Sequence, residues 1–383
     1  MKKSKLVILI FIIAMCPITL CGCWNYKEID SMAIVAGMAI DKDIITNKYT
    51  ITVEIITSQS QGSSSIISSE FYSSEGDSIL SAERAVVGKT GIPLLWYEAK
   101  VAIISESVAR DGVIPVIDWS NRDSDLRADM WMIITKGNSA AEVLKNKFKP
   151  DQIVSLHLND TMNRGKLLSK FPESKLWSFI DGIASEGKSE AVAAVKNGPS
   201  NGTIDHIGCA IFKSDKLVGY LNGDETLYML MIKNKIKEGV ITLKNVSNSD
   251  TSITLEIFEN RTKLTPLYNN GKVSLIIDIY PVSIISEVGG SKDFMKEENL
   301  EILQSEAEKK IKTQVQYLIS KLQKDYDCDV LGFGELFEKE RPKVSENFKK
   351  NGEDIFTSLT TEVNVHLQIR ASGKTIKPIV IGK

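Results

Sequence analysis

Two long strand-like runs followed by one long helical stripe constrain the fold of this chain most strongly. The segments 251–268 and 272–288, "TSITLEIFENRTKLTPLY" and "KVSLIIDIYPVSIISEV", have the alternation and β-branched composition of strands. A helix is predicted from about Lys296 to Asp325, because apolar residues recur there at steps of three and four. Its stripe consists of Leu300, Leu303, Ala307, Ile311, Val315, Leu318 and Leu322. We therefore expect an antiparallel sheet with a helix of roughly 45 Å packed across it, with a coiled coil as the alternative.

The residues after this helix complete the same unit. The segment "FGELFEKERPK" (333–343) predicts a short helix that Pro342 ends. The segment 358–373 alternates and predicts one further strand. Its inward residues would be Leu359, Val363, Val365, Leu367 and Ile369.

The first half of the chain mixes strands and helices in the order β-β-α-β-α-β-α. Segments 28–43 and 48–57 predict a hairpin whose second strand has one buried face, and 58–74, about half serine, predicts a mobile loop or a weak edge strand. A helix over 76–90 and a strand over 94–105 follow, and then one or two short helices over 105–121. A strand over 128–137 precedes a helix over 138–147, capped by Asn138 or Ser139 with Glu142.

A break in the pattern divides the chain. The segment "KNGPSNG" (196–202) holds neither helix nor strand and predicts a linker. The predicted fold class is α+β, with three mixed α/β domains, antiparallel-rich sheets and the long helix packed on the sheet of the last domain. The predicted parts are a cleaved segment at 1–22, an N-terminal domain at 23–197, a small middle α/β domain at 203–262 and a C-terminal α+β domain at 263–383.

The first 22 residues read as a secretory signal. Lys2, Lys3 and Lys5 precede an apolar run of about ten residues, which is too short for a membrane span of roughly 20. The end of this segment, "LCG", places a branched apolar residue three places before Cys23 and a small residue, Gly22, directly before it. Bacterial lipoprotein signal peptidases accept that pattern. We therefore predict cleavage between Gly22 and Cys23, with S-diacylglycerol and an N-acyl group on Cys23 as a membrane anchor.

Anchoring decides the role of the cysteines. Cys16 and Cys21 would leave with the signal, and Cys23 would be neither a metal ligand nor a catalytic thiol. Cys209 and Cys328 would remain in the mature chain, either as one disulfide or as two separate buried thiols, and the second is favoured.

Charge and motifs exclude several functions. The net charge is −2, and removal of three lysines with residues 1–22 would make it −5, so neither nucleic acid nor anionic lipid is expected to bind by charge. No Walker A, G-x-S-x-G or H-E-x-x-H pattern occurs, and no cofactor or metal is predicted. The turn "DKD" (41–43) is a weak cation site at most. The segment "NRDSDLR" (121–127) is a solvated loop or an interaction site through Arg122 and Arg127.

Three segments resemble one family. "GCWNYKEIDSMAIVAGMAIDKD" (22–43) resembles the start of the mature Ger(x)C spore germination lipoproteins, the C subunits of nutrient germinant receptors. The matching residues are Cys23, Trp24, Glu28, Ile29, Gly37, Asp41 and Lys42. Segments 121–144 and 207–230 are similar to two further blocks of that family. Asn25, where the family often has Asp, and the serine-rich stretch depart from the pattern.

The resemblance implies a three-domain α+β protein without catalytic residues. It would be held on the outer face of the spore inner membrane and would work with integral-membrane A and B subunits, with Trp24, Arg122 and Arg127 as candidate contacts. Two other functions remain open on the residues alone. One is a solute-binding lipoprotein of an importer, and the other is a lipid-anchored envelope enzyme.

Overall fold

The computed structural model describes residues 31–61, 64–147, 149–165, 168–184, 189–248, 251–289, 294, 296–350 and 354–371. The strands of these ranges form two sheets. The strands of the first sheet are β1 (Ala33–Lys42), β2 (Tyr49–Gln61), β3 (Ser64–Gly76), β4 (Leu94–Leu95), β5 (Val101–Ile104), β6 (Trp131–Thr135), β7 (Ser189–Asn197), β8 (Ile204–Lys213) and β9 (Lys216–Leu221). Those of the second are β10 (Gly239–Leu243), β11 (Ser252–Asn269), β12 (Lys272–Gly289), β13 (Thr360–Val365) and β14 (Gln368–Ala371).

The helices cover both sheets and the space between them. They are α1 (Ile79–Thr90), α2 (Glu106–Asp111), α3 (Ile114–Arg122), α4 (Ala140–Leu144), α5 (Val154–Arg164), α6 (Leu176–Ala184), α7 (Gly223–Ile232), α8 (Glu297–Lys324), α9 (Phe333–Glu340), α10 (Pro342–Lys350) and α11 (Ile355–Ser358).

The first sheet is mixed. Its order is β3-β2-β1-β5-β6-β7-β8-β9, with β4 paired to β1. The four central strands β1, β5, β6 and β7 run parallel, while β2 and β3 on one side and β8 and β9 on the other run antiparallel to their neighbours. The predicted hairpin is therefore confirmed as β1–β2.

Helices cover both faces of this sheet. Met38 and Ile40 of β1 pack into one core with α1, α3 and α6, while Ala39 between them packs into a second core with α4 and α5. Because neighbouring residues on a strand point to opposite faces, a sheet covered on both sides buries nearly every side chain of its central strands. The burial pattern of β6, in which all five residues are buried, agrees with this arrangement.

The second sheet is a long hairpin with a helix across it. Strands β11 and β12 have 18 residues each and pair antiparallel along their whole length. The predicted stripe of α8 is buried against β12 and β13 at Ile311, Val315 and Leu318, so the helix packed on a sheet is confirmed. The sheet is antiparallel-rich, as predicted for the fold class, but β13 and β14 pair with β12 in the parallel sense, so the antiparallel sheet expected for the last unit is wrong at this edge. The reason is the long helical connection, which returns the chain to the same end of the sheet.

Several local predictions need correction. The serine-rich stretch 58–74 contains the last residues of β2 and most of the edge strand β3, which pair with each other, so the alternative of a mobile loop is wrong. The predicted strand over 94–105 is two strands, because residues 96–100 turn between β4 and β5. Pro342 does not simply end a helix, since it stands at the first position of α10. The strand predicted over 358–373 is broken between β13 and β14.

The predicted linker is a tight turn. Residues 198–203 join β7 to β8, and Gly198 N donates to Thr203 O at 2.9 Å. The strands on both sides pair antiparallel in one sheet. The second sheet joins the first through a shared core, in which Cys209, Ile211 and Leu221 of β8 and β9 pack with α7 and α8. The division into domains at 23–197, 203–262 and 263–383 stays a prediction.

Candidate functional site

The predicted anchor residues Gly22, Cys23 and Trp24 lie outside the described residues. The first strand, β1, begins at Ala33, ten residues after Cys23. Ten residues span at most about 33–36 Å when fully extended. The start of β1 is therefore within that distance of wherever Cys23 is held.

The two predicted interaction residues, Arg122 and Arg127, are exposed and paired with neighbours in the chain. Arg122 ends α3, and its Nε lies 2.8 Å from Asp118 Oδ2 one helical turn earlier. Arg127 lies in the loop before β6, with one terminal nitrogen 2.6 Å from Asp129 Oδ2. The hydrogen bonds and charge of these arginines lower the pKa of Asp118 and of Asp129. Both guanidinium groups remain accessible to a partner, because Arg122 is 77% exposed and Arg127 46% exposed at the side chain.

Arg127 lies at the end of the sheet where β1 begins. Just after the Arg127 loop, Trp131 N donates to Lys100 O at 2.9 Å, and Lys100 N donates to Ala36 O at 2.8 Å near the start of β1. Since β1, β5 and β6 are parallel neighbours, their first residues lie at the same end of the sheet. The loop with Arg127 and the start of β1 therefore lie at the same end of the sheet.

Asp41 and Lys42 of the first family-like segment are structural. The carboxylate of Asp41 accepts hydrogen bonds from the backbone N–H groups of Ala140 and Ala141, at 2.8 and 2.9 Å, and so caps α4. Burial raises the pKa of Asp41, while these hydrogen bonds oppose the shift. The Lys42 ammonium pairs with Asp111 and lies 4.9 Å from the centre of the Tyr49 ring. Asp41 and Lys42 are the last two residues of β1, so the predicted turn at 41–43 begins only after Lys42, and both side chains stabilise the fold.

Gly37 of the same segment allows helix α5 to approach the sheet. A Cβ on Gly37 would overlap Ser155 Oγ and lie 2.7 Å from Val101 Cγ2. A carbon–carbon contact that short does not occur between real side chains, so only glycine fits without a shift of α5 or β5.

Glu54 of β2 is a fully buried carboxylate that sequence reasoning missed. Its Oε1 accepts from Val154 N and Ser69 Oγ, at 2.8 and 2.7 Å. Its Oε2 accepts from Ser155 N and Ser155 Oγ, at 2.7 and 2.6 Å. The carboxylate thus caps α5 from a strand 100 residues away and faces the positive end of the helix dipole. The available signal was that Glu54 is the only charged residue in the otherwise apolar and neutral strand 49–61.

The expectation that β2 buries only one face is therefore wrong. Thr52 and Glu54, on the face opposite Ile51, Val53 and Ile55, are also buried. The cause is α5, which covers that face and supplies the backbone donors that a buried carboxylate needs.

The family-like block at 207–230 holds the second sheet to the first. Asn222 and Glu225 form a capping box at the start of α7. Glu225 Oε1 also accepts from Lys321 Nζ of α8 at 2.8 Å, in a largely buried ion pair. Gly219 of β9 lies under the ring of Tyr326, whose hydroxyl donates to Tyr220 O at 2.8 Å. The block therefore positions α8 against the first sheet.

The nucleophilic and metal-binding side chains form no catalytic arrangement in the part of the chain that the structure describes. Cys209 and Cys328 are separate, buried free thiols, as predicted, and burial raises their pKa values to about 12 and about 11. His206 is stacked on Phe171, and burial lowers its pKa. His366 is stacked on Tyr280. No group of three or more His, Cys, Asp or Glu side chains suited to a metal is found within the described ranges.

No helix within the described residues is both long enough and apolar enough to cross a membrane.

Family comparisons match the chain in two consecutive parts. Residues 25–196 match the family described as "Spore germination protein N-terminal domain". Residues 207–373 match the family described as "Spore germination B3/ GerAC like, C-terminal". The boundary between the two falls at the turn between β7 and β8 and at the first residues of β8.

Individual proteins are similar over nearly the whole chain. Spore germination protein B3 of Bacillus subtilis (strain 168) is 26% identical over 376 residues, which are 96% of this chain and 97% of that protein. Spore germination protein KC of the same organism is 23% identical over 388 residues, covering 94% and 95%. The crystal structure of the GerBC protein matches with a TM-score of 0.53 and 23% identity, over 87% of this chain and 96% of that one. The structural match shows a shared fold.

Proposed function

Because this chain belongs to the Ger(x)C family of spore germination proteins, we propose that it is the lipid-anchored, non-catalytic C subunit of a nutrient germinant receptor. The signal at 1–22 is removed, Cys23 carries the acyl groups, and the folded body lies on the outer face of the spore inner membrane. The observation that carries the proposal is the match to spore germination proteins along both halves of the chain, in order. The lipidation pattern before Cys23 supports the anchor.

Integral-membrane A and B subunits are the proposed partners. Lipid anchoring at Cys23 would keep the start of β1 within about 33–36 Å of the membrane, which supports an orientation with that end of the first sheet toward the membrane. Arg127 lies at that end of the first sheet, in the loop before β6, and Arg122 lies at the end of α3, which precedes this loop. We propose that both arginines face the membrane subunits together with Trp24. The exposed guanidinium groups can bind carboxylates or carbonyls of a partner without disturbing the core. The same match along the chain supports this role over a solute-binding lipoprotein of an importer.

The anchor is tested by changing the cysteine that carries it. Cys23→Ala removes the thiol that is acylated, so we expect the protein to leave the membrane fraction and to incorporate no labelled fatty acid. Cys21→Ala is the matched control, since Cys21 is discarded with the signal and alanine is also small. A Cys23→Ala protein that still fractionates with membranes and is released by detergent would place the anchor elsewhere.

The receptor role is tested by deletion in spores that lack other receptors for the same nutrient. We expect the deletion to abolish the nutrient response, and the wild-type gene to restore it. A deletion strain that germinates normally would contradict the proposal.

Arg127→Glu should reduce germination without changing the free energy of unfolding by more than about 0.5 kcal/mol, because exposed ion pairs stabilise little. Arg110→Glu is its control, since Arg110 is also exposed and paired with Glu106 but lies beyond the opposite end of β5. An equal effect of both reversals would exclude a specific role for Arg127.

A further inference from the structure

A cleft of about 540 Å³ lies where the two halves of the chain meet. One wall comes from β6 and from residues 169–178, and the other comes from the end of α7 and the segment that follows, residues 230–237. A second cavity of about 130 Å³ adjoins it and shares Glu173, Ser178 and Lys235. The volume is in the range of small-molecule sites.

Aromatic and aliphatic side chains line much of the cleft. Trp131 is 1% exposed, whereas Trp177 is 52% exposed, and Phe171 and Ile236 lie on the opposing walls. The indole N–H of Trp131 has no hydrogen-bond acceptor among the described residues, although it is buried. Because this nitrogen is itself buried, it does not face the open volume, and Trp131 forms part of the wall beneath the side chains that a ligand would contact.

Lysine side chains lie around the aromatic residues of the cleft. Lys175 Nζ lies 4.0 Å from the centre of the Trp131 ring. Lys235 and Lys237 are exposed at the opposite wall, and neither forms an ion pair with another described residue. Lys233 reaches the smaller cavity and donates to Val330 O at 2.6 Å.

Two carboxylates also face this region. Glu173 lines both cavities and Glu190 lines the smaller one, and each is engaged with other groups of the chain. Among the described residues, four lysines and two glutamates line the two cavities, so their net charge is positive, although Lys175, like the glutamates, is engaged with another group of the chain. An anion is therefore the complementary ligand.

The wall that carries Lys235 and Lys237 is held in place. Asn234, in the left-handed conformation with φ 55°, accepts from Thr262 N at 2.6 Å and donates to Thr262 O at 2.8 Å. Lys237 N donates to Ser169 Oγ on the facing wall at 3.4 Å. Fixed backbone on both sides lets the lysines converge on one ligand without a large ordering cost.

We propose that this cleft binds a small organic anion that carries an apolar group. Its anionic end lies among Lys175, Lys235 and Lys237, and its apolar part lies on Trp177 and beside Ile236. The site gives this subunit a ligand of its own, which goes beyond the proposed receptor role and needs neither the anchor nor the membrane subunits.

The test uses the full chain in nonionic detergent and hexanoate as the probe, with binding followed by calorimetry and tryptophan fluorescence. We expect saturable binding with Kd of about 1 mM or tighter, the affinity of a weak but specific small-ligand site. Hexylammonium has the same apolar chain with opposite charge and should not bind. Inorganic phosphate lacks the apolar part and should bind at least tenfold more weakly. No saturation by hexanoate up to about 20 mM, or equal binding of hexylammonium or phosphate, would overturn the proposal.

Variants locate the site. The double variant K235Q and K237Q should weaken hexanoate binding at least tenfold, since it removes two ammonium groups from exposed positions where the fold is not affected. K263Q with K272Q is the control, because those lysines are exposed on β11 and β12 outside the cleft. Trp177→Ala removes the exposed ring on which the apolar part lies, and a several-fold loss of hexanoate binding by calorimetry is expected. Unchanged binding in K235Q/K237Q, or equal loss in the control, would place hexanoate elsewhere and refute the assignment.

Discussion

A fully buried charge and a partly buried charge in this molecule have very different surroundings. Glu54, between β2 and α5, accepts four hydrogen bonds and has both carboxylate oxygens filled. Lys233, between α7 and the adjoining cavity, donates to one carbonyl, and burial lowers its pKa. Glu54 therefore has all its carboxylate oxygens hydrogen-bonded, whereas Lys233 lies at the wall of a cavity.

The difference distinguishes a charge that stabilises the fold from a charge that lies beside a candidate binding site. A buried charge with all its hydrogen bonds made fixes the elements around it, here the approach of α5 to the first sheet. A charge beside a cavity, with one hydrogen bond, carries a desolvation cost that the fold offsets only in part. Positions of the second kind concentrate at ligand sites. Variants of the two positions should therefore change stability in different ways.

Glu54→Gln should give the largest effect. The amide nitrogen cannot accept, so two of the four donors lose their partner, and a buried unpaired donor costs about 1–3 kcal/mol. We expect the free energy of unfolding to fall by about 2–4 kcal/mol in urea titrations of the full chain. Glu75→Gln on the exposed side of β3 is the control and should change it by less than about 0.5 kcal/mol. A loss below about 1 kcal/mol at Glu54 would mean that the carboxylate does not hold α5.

Gly37→Ala tests the same contact between α5 and the first sheet by adding a methyl group to it. The new methyl group would overlap Ser155 and Val101, and overpacking of this kind costs about 1–3 kcal/mol. Gly88→Ala in α1 is the matched control, because a Cβ there meets nothing within 4 Å. Since alanine favours a helix over glycine, the control should be neutral or more stable by up to about 1 kcal/mol. Equal thermal unfolding of the two variants would show that α5 is free to move away from β1.

Lys233→Met should give the smallest effect at neutral pH. A methionine fills the same space without a charge to desolvate, so we expect the free energy of unfolding at pH 7 to stay within about 1 kcal/mol of the wild type or to rise. The pH dependence carries more information. Between the lowered pKa of folded Lys233 and the unfolded value of 10.5, the unfolded chain holds a proton that the folded chain has released.

Wild-type stability therefore gains from Lys233 as pH rises through this window, and the Met variant lacks that gain. We expect the difference between the two proteins to shift in favour of the wild type between pH 7 and pH 9.5, measured by urea unfolding at both values. Glu190 and Asp329 raise the pKa of Lys233 and reduce the shift, while Lys235 lowers it. A constant difference across these pH values would show that Lys233 stays protonated in the folded chain.

Local sequence patterns predicted the elements whose stability is local. The capping box of α4 at Ser139 and Glu142 was predicted because its donors and acceptors lie within four residues. The stripe of α8 was predicted because side chains at steps of three and four share one helix face. The family resemblance, too, rested on short contiguous segments, and the matches at 25–196 and 207–373 confirm it.

The sequence by itself determined the strand and helix types, the long helix on a sheet and the family of this protein. Only the tertiary structure decided that Glu54 caps a helix 100 residues away, and that β13 lies parallel to β12. It also decided that Trp131, Lys175 and Lys235 line one cleft. The physical reason is the sequence separation of the contacts. Helix caps and apolar stripes depend on residues close in sequence. The partner of a buried charge and the walls of a cleft come from distant segments that only tertiary packing brings together.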